Sequence, residues 1–386
     1  MTQATAQNIQ QMNAQARAAI VMSCPSVIQK LTSLTKAQFG YTSGQATTIN
    51  VPLQNVGLIK RLIVRVSANV QQGAAETQNR MPFGPANFLS QIMLNDLNNL
   101  VRINTTGWHL AMLGTARRQV AFGAALTSDS PLGFGANYPI IQAPAAVTGA
   151  ANMYMTYEIP LCYSETDLRG GIFANVVNAT MNLQLTINPN MFVATGTDGV
   201  QACYKSTTAQ LGVMNNYTID VYQEYYDQLP KNPDGSYMLP LIDLATQYNI
   251  INTVNTGLTV GADQSLPFAN FRSYMSTVAI YDNGGTLNAG TDINYFSLAT
   301  ANAMNLFKYD PFIQQFINGR LKINDDWPAG VYYFDHRGHP ITTAAFGNMQ
   351  INVNPSVVNA GAQLLVGYEY FSLQNQLQNA GSISSS

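Results

Sequence analysis

DQLPKNPDGSYMLPLIDL, residues Asp227 to Leu244, is the stretch around which the chain is arranged. Its prolines Pro230, Pro233 and Pro240 each fix φ and remove a donor, and Pro233-Asp234-Gly235 is a turn tripeptide whose glycine tolerates φ > 0. Neither a helix nor a central strand runs through such a segment. On both sides lie runs in which apolar and polar residues alternate with period two, so it divides two β-rich halves, the larger one first.

The halves share an order of elements. Ala86-Asn87-Phe88-Leu89-Ser90 opens an apolar run that ends at Asp96-Leu97-Asn98-Asn99, and Ala269-Asn270-Phe271-Arg272-Ser273 opens another that ends at Asp282-Asn283-Gly284-Gly285. Each is followed by a Thr-rich polar stretch and then a helix-like pattern. One unit used twice is the reading this suggests, with the two triplets at equivalent places. The matched letters are few; the order of elements carries more of the argument.

Outward from there, 386 residues are enough for two domains with separate cores. Only 10% of residues are charged, against about 25% in ordinary soluble domains. Charge is depleted where surfaces are covered by other subunits, which favours an assembling subunit over a neutral monomer. No apolar run approaches the ~18 residues of a membrane-spanning helix, and no secretory signal opens the chain, so a chain made in the cytoplasm that stays soluble is expected. Cys24, Cys162 and Cys203 are odd in number and scattered, neither a disulfide framework nor a zinc site. The sequons at Asn104, Asn178 and Asn216 carry little meaning without secretion.

From Thr2 to Met22, Ile9, Met12, Ala16, Ala19 and Ile20 recur at helical spacing, forming a thin stripe that has little core to bury and is expected to order only against a partner. No acid precedes Glu76, whereas Arg17, Lys30, Lys36, Lys60, Arg61 and Arg65 are basic. Strands are expected after Gly40: Leu62 to Val70, Met153 to Leu161, Met181 to Ile187, Tyr217 to Tyr225, Met275 to Tyr281, Val331 to Phe334, Gln350 to Val353 and Leu364 to Phe371. Gly107–Arg118, Ala301–Phe307 and Pro311–Ile317 read as short helices. Short strands, decorated loops and few helices indicate an all-β chain of sandwiches or barrels, with spacing that suits jelly rolls.

Chemistry-bearing motifs are sparse. His336 and His339 lie in a Gly- and Pro-containing turn without a third ligand, so no metal is expected. His109 reads as a packed histidine, with no Gly-x-Ser-x-Gly elbow to serve. Glu165 and Asp167 in Ser164-Glu165-Thr166-Asp167 read as turn-capping residues rather than a catalytic pair. Gly133-Phe134-Gly135 lacks the third glycine of a dinucleotide site. No catalytic residue and no cofactor are assigned. Nucleic-acid recognition is not expected either, because Arg17, Lys30 and Lys36 are the only bases in the first 38 residues.

A series of collinear words carries a resemblance: Gly84-Pro85-Ala86-Asn87, Thr106-Gly107-Trp108-His109-Leu110, Tyr163-Ser164-Glu165-Thr166-Asp167-Leu168, Asp227-Gln228-Leu229-Pro230, Leu239-Pro240-Leu241-Ile242-Asp243-Leu244, Asn288-Ala289-Gly290-Thr291-Asp292-Ile293-Asn294-Tyr295, Gly330-Val331-Tyr332-Tyr333 and Gly367-Tyr368-Glu369-Tyr370-Phe371. From about Val51 onward the chain closely resembles the major capsid proteins of tectiviruses, tailless icosahedral phages with a membrane beneath the shell. The resemblance implies a double jelly roll with an N-terminal helical arm: residues 1–38 the arm, 39–229 the first jelly roll, 230–386 the second. It further implies a homotrimer with a pseudo-hexagonal footprint in the virion shell. The implied partners are neighbouring trimers, penton and minor capsid proteins and viral membrane lipid. The arm would contact membrane or adjoining capsomers through Ile9, Met12, Arg17, Ile20 and Lys30. The competing expectation is a β-sandwich that binds a receptor or glycan, which calls for a cleft with aromatic residues and paired carboxylates.

Overall fold

The computed structural model describes residues 3–36, 43–73, 76–118, 141–142, 146–176, 180–287, 290–300, 305–320, 330–343 and 349–372. Sixteen described strands have five residues or more, eight before the dividing segment and eight after it. The first eight are β1 (Ser26–Lys36), β2 (Thr47–Pro52), β3 (Leu58–Gln71), β4 (Leu89–Asn95), β5 (Val101–Thr105), β6 (Ala150–Pro160), β7 (Asn182–Ile187) and β8 (Val213–Tyr226). The second eight are β9 (Gln247–Asn255), β10 (Gln264–Phe268), β11 (Arg272–Asp282), β12 (Ile293–Thr300), β13 (Asn305–Tyr309), β14 (Val331–Asp335), β15 (Met349–Pro355) and β16 (Gln363–Ser372). Among the described residues four α-helices accompany them, α1 (Gln3–Ser23), α2 (Gly107–Arg118), α3 (Leu241–Ala245) and α4 (Pro311–Arg320), with a short 3-10 helix at Gly84–Phe88.

Pairing is nested in the first half. Antiparallel partners include Ser26↔Tyr226 for β1 and β8, Pro52↔Asn182 for β2 and β7, Gln71↔Ala150 for β3 and β6, and Ile92↔Thr105 for β4 and β5. The second half repeats this with Gln247↔Ser372, Gln264↔Val353, Ile280↔Val331 and Phe296↔Tyr309. Two facing sheets result in each half, ordered β1-β8-β3-β6 and β2-β7-β4-β5, then β9-β16-β11-β14 and β10-β15-β12-β13. First strand against last, second against seventh, third against sixth and fourth against fifth is the jelly roll, formed twice.

Alternation explains why these segments are strands. In β3, Leu62, Val64, Val66, Ala68 and Val70 are buried in the first core while Arg65, between them, is exposed. Each of these leucine and valine side chains contributes about 1.5–3 kcal/mol by leaving water. Leu266, Phe296, Ile351, Val353 and Tyr370 fill the second core in the same way.

The barrels are joined edge to edge. β5 pairs in parallel with β9 through Ile103↔Ile250 and Asn104↔Ile251, so one sheet runs from the first barrel into the second. In the dividing segment Gly235 adopts φ 86°, and Asp234 Oδ1 accepts hydrogen bonds from Ser236 N and Oγ at 2.9 and 2.6 Å, closing the turn.

Several expectations are corrected. Ser26–Lys36, read as part of a helical arm ending at residue 38, is an edge strand of the first barrel. Residues Asn305–Tyr309, overlapping the expected helix Ala301–Phe307, form β13 against β12; residues 301–304 lie outside the described residues, as do Asn178 and Gly133-Phe134-Gly135. The two triplets are not equivalent: Ala86-Asn87-Phe88 precedes β4, the fourth strand of its barrel, and Ala269-Asn270-Phe271 precedes β11, the third strand of the other. Their surroundings differ too. Asn87 is buried and donates to Val200 O and Ala202 O at 3.0 and 2.9 Å, whereas Phe271 is 50% exposed with φ 59°.

The sequence repeat lies instead in the last strand of each barrel. Val221-Tyr222-Gln223-Glu224-Tyr225-Tyr226 and Val366-Gly367-Tyr368-Glu369-Tyr370-Phe371 occupy the same register, with Glu224 opposite Arg61 on β3 and Glu369 opposite Ser276 on β11. The helices are equivalent as well, α2 following the fifth strand and α4 the thirteenth, each after one intervening residue.

Candidate functional site

Two polar clusters stand out as candidate sites: one at the base, where α1 meets the dividing segment, and one at the junction between barrels.

At the base, Asn13, Ala16 and Ile20 form the buried stripe of α1. Asp243 of α3, 1% exposed, accepts from Arg17 Nε at 2.7 Å, from an Arg17 terminal nitrogen at 2.8 Å and from Asn13 Nδ2 at 3.1 Å. Asn13 Oδ1 in turn accepts from Ile242 N at 3.0 Å. Ile20 packs with Leu58, Cys162, Leu168, Tyr226 and Leu229. The helix therefore orders against its own chain, which corrects the expectation that it needs another molecule. Of the five residues named for external contact, Arg17 and Ile20 are occupied within the chain. Ile9 is 39% and Met12 68% exposed, and Lys30 on β1 pairs with Asp220 at 2.9 Å while remaining partly exposed. Asn13 and Asp243 were not singled out in the sequence; an Asp in an otherwise apolar Leu-Ile-Asp-Leu run is the signal that marks Asp243.

At the junction, Arg117 near the end of α2 reaches from the first barrel to Glu369 and Tyr248 Oη of the second, and donates to Tyr163 O at 3.2 Å. Glu369, fully buried, also accepts from Tyr248 Oη at 2.8 Å and Ser276 Oγ at 2.6 Å. Burial alone raises a carboxyl pKa, but Arg117 and the two hydroxyls outweigh it and hold Glu369 below its ordinary value. Beside it, a cavity of about 390 Å³ is lined in part by Lys60, Arg61, Glu158, Cys162 and Glu165. Its charges are already matched: Lys60 to Glu224 at 3.1 Å and to Glu165, Arg61 to Glu158 at 2.7 Å and to Glu165 at 3.0 Å. Burial pushes the Cys162 thiol up, the opposite of what a nucleophile requires.

The residues weighed for catalysis are structural. Ser164 Oγ accepts from Asp167 N at 3.1 Å, closing the turn, and Asp167 pairs with Arg169. His109 Nδ1 lies 2.7 Å from Thr105 Oγ1, and burial lowers its pKa to about 3. His336 is likewise lowered to about 4 by burial, while His339 N donates to His336 O at 3.0 Å. Among the described residues no three His, Cys, Asp or Glu side chains converge as metal ligands.

Two jelly rolls in one chain, fused through a shared sheet and a buried ionic clasp, define the double jelly-roll class of viral coat subunits. Solved structures agree on the fold. A chain of the atomic structure of Sulfolobus turreted icosahedral virus matches with a TM-score of 0.62 at 14% identity, covering 92% of this chain and 93% of that one. PBCV-1 VP54, in a structure fitted to the virophage Sputnik, matches with a TM-score of 0.51 at 10% identity, covering 90% and 94%. The chain belongs to the P3 major capsid protein family: residues 2–229 match its N-terminal model and residues 245–385 its C-terminal model. It is 39% identical over 389 residues to major capsid protein P3 of Enterobacteria phage PRD1, covering 99% of this chain and 97% of that one. As a member of that family it is a structural protein of the virion shell and not an enzyme.

Proposed function

We propose that three copies of this chain form a capsomer whose six barrels surround one axis, and that these trimers tile a shell standing over an internal membrane. The observation that carries the reading is the sheet shared by β5 and β9, which holds the two barrels side by side as one unit. Three such units make a near-hexagonal tile. A charge content of 10% leaves neutral surfaces suited to cover by further copies, by penton and minor capsid proteins and by neighbouring trimers. Within each unit we take the arm as α1 alone, because Ser26–Lys36 is barrel edge, and keep the division between barrels at residues 229/230.

The arm's outward groups suit lipid. α1 contains no acid, and Met12 and Met22 are 68% and 85% exposed. A single exposed Ile or Met contributes ~2 kcal/mol if buried in lipid, so one arm binds weakly and many arms on a shell bind strongly. Recombinant protein should sediment as a trimer at micromolar concentration. Ile9→Asp with Met12→Asp should leave that trimer folded yet give particles without lipid in flotation against anionic vesicles. Normal membrane-lined particles from this variant would remove lipid from the reading.

A further inference from the structure

Helices α2 and α4 occupy equivalent places in their barrels but meet different fates. α2 follows β5 and lies between its own barrel and the outer face of the second barrel's β9-β16-β11-β14 sheet. On it Trp108, His109 and Met112 are 3%, 0% and 0% exposed, and the His109 ring sits directly on Gly367 of β16. Counting from the helix starts at Gly107 and Pro311, the corresponding residues of α4 are Phe312, Ile313 and Phe316. These are 72%, 39% and 58% exposed.

α4 is nonetheless firmly seated on its own barrel by its other side. Gln314, 1% exposed, donates to Tyr333 O at 2.6 Å and to Asn318 Oδ1 at 3.0 Å, and accepts from Tyr309 Oη at 2.6 Å. Two phenylalanines and an isoleucine thus point away from a fixed helix, in the positions that α2 uses to grip the next barrel. Among the described residues there is no third barrel for them to meet.

The last-strand repeat says what the missing surface is. Gly367 under His109 corresponds to Tyr222 on β8, and Val278 opposite Gly367 corresponds to Ile63 opposite Tyr222. That face of the first barrel, the outer side of β1-β8-β3-β6, carries Ile63, Tyr222, the Lys30–Asp220 pair and exposed Arg65. It is more polar than its counterpart, where Val278, Ile280, Val331, Tyr333 and Leu365 join the first barrel's core. This contrast is expected where one face is covered during folding of a single chain and the other by a separately folded molecule.

We propose that Phe312, Ile313 and Phe316 of α4 seat on the β8–β3 face of an adjacent copy, around Tyr222 and Ile63, repeating between chains the contact that α2 makes within one. The inference rests on the trimer proposed above and names its contact. In a Cys24→Ser background, Ile313→Cys with Tyr222→Cys should give disulfide-linked chains up to the trimer on mild oxidation, with the 313–222 linkage found between peptides by mass spectrometry. Independently, Phe312→Ser with Phe316→Ser should raise the trimer's dissociation constant at least tenfold while circular dichroism is unchanged, because exposed side chains are not needed for the monomer's core. If the wild type is a trimer but the cysteine variant forms no 313–222 linkage, or the serine variant dissociates no more readily, the seat is overturned and the trimer stands. A wild-type monomer overturns the trimer itself and the seat with it.

Discussion

Gly367 is the position where one hydrogen atom decides whether the barrels close. A Cβ there would lie 2.2 Å from His109 Nε2 and 2.3 Å from Cδ2, and His109 has nowhere to go because it is fully buried and held by Thr105. Gly367→Ala is expected to destabilise the chain by about 1–3 kcal/mol, the usual cost of overpacking a filled core. Thermal unfolding of His109→Ala, Gly367→Ala and the double variant measures it. The double variant should lose less than the sum of the singles, and simple additivity would show that the ring and the glycine do not oppose each other. A glycine in a strand reads from sequence only as a weak strand residue; that a histidine 258 positions earlier requires it is set by packing.

α1 shows how an element is legible while its partner is not. Its helical spacing and thin apolar stripe are plain in the sequence, but Asn13, Ala16 and Ile20 find their cover only because the chain returns Asp243 and Leu229 to the base. Removing one partner of that clasp should free the helix without unfolding the barrels. For Asp243→Asn, hydrogen exchange across residues 3–23 is expected to quicken tenfold or more, with β1 unchanged; equal protection in both would mean that Ile20 alone holds the arm. α2 and α4 have the bounds their periodicity suggests, to within a few residues. β13 does not read as a strand, since its pairing with β12 overrides local preference around Phe307.

For the whole molecule, the barrels meet at a second polar contact whose charge depends on pH. Asp282, at the end of β11, accepts from Gly285 N at 2.7 Å and from Gln363 Nε2 at 2.8 Å, and faces Asp198 from the first barrel. Burial and the hydrogen bond shared with Asp198 raise its pKa to about 7. A carboxyl whose folded pKa lies above its unfolded one favours folding while protonated, so this contact's stability is present below about pH 4 and lost as pH rises toward 7. Asp198→Asn removes the repulsion and keeps the acceptor for Val200 N. Its unfolding free energy should gain on the wild type as pH rises from 4 to 7, levelling at an advantage of about 1 kcal/mol, as measured by denaturant titration at each pH. A difference that does not change with pH would rule out a shared proton.

By itself the sequence determined what depends on near neighbours: period-two strands, a turn at Pro233-Asp234-Gly235, helices after Thr106 and Asp310, two halves, and through its collinear words the capsid family. The repeat was legible too, but in Val221 to Tyr226 and Val366 to Phe371 rather than in the triplets; strand register was needed to see which letters correspond. What only the tertiary structure decided are contacts between residues far apart: β1 beside β8 across 200 positions, Arg17 on Asp243, Arg117 on Glu369 and the bare face of α4. The reason is physical. Hydrophobic periodicity records that a side chain is buried, whereas a nested jelly roll pairs the ends of each half with one another, and which buried polar group meets which partner is settled only when those distant edges close.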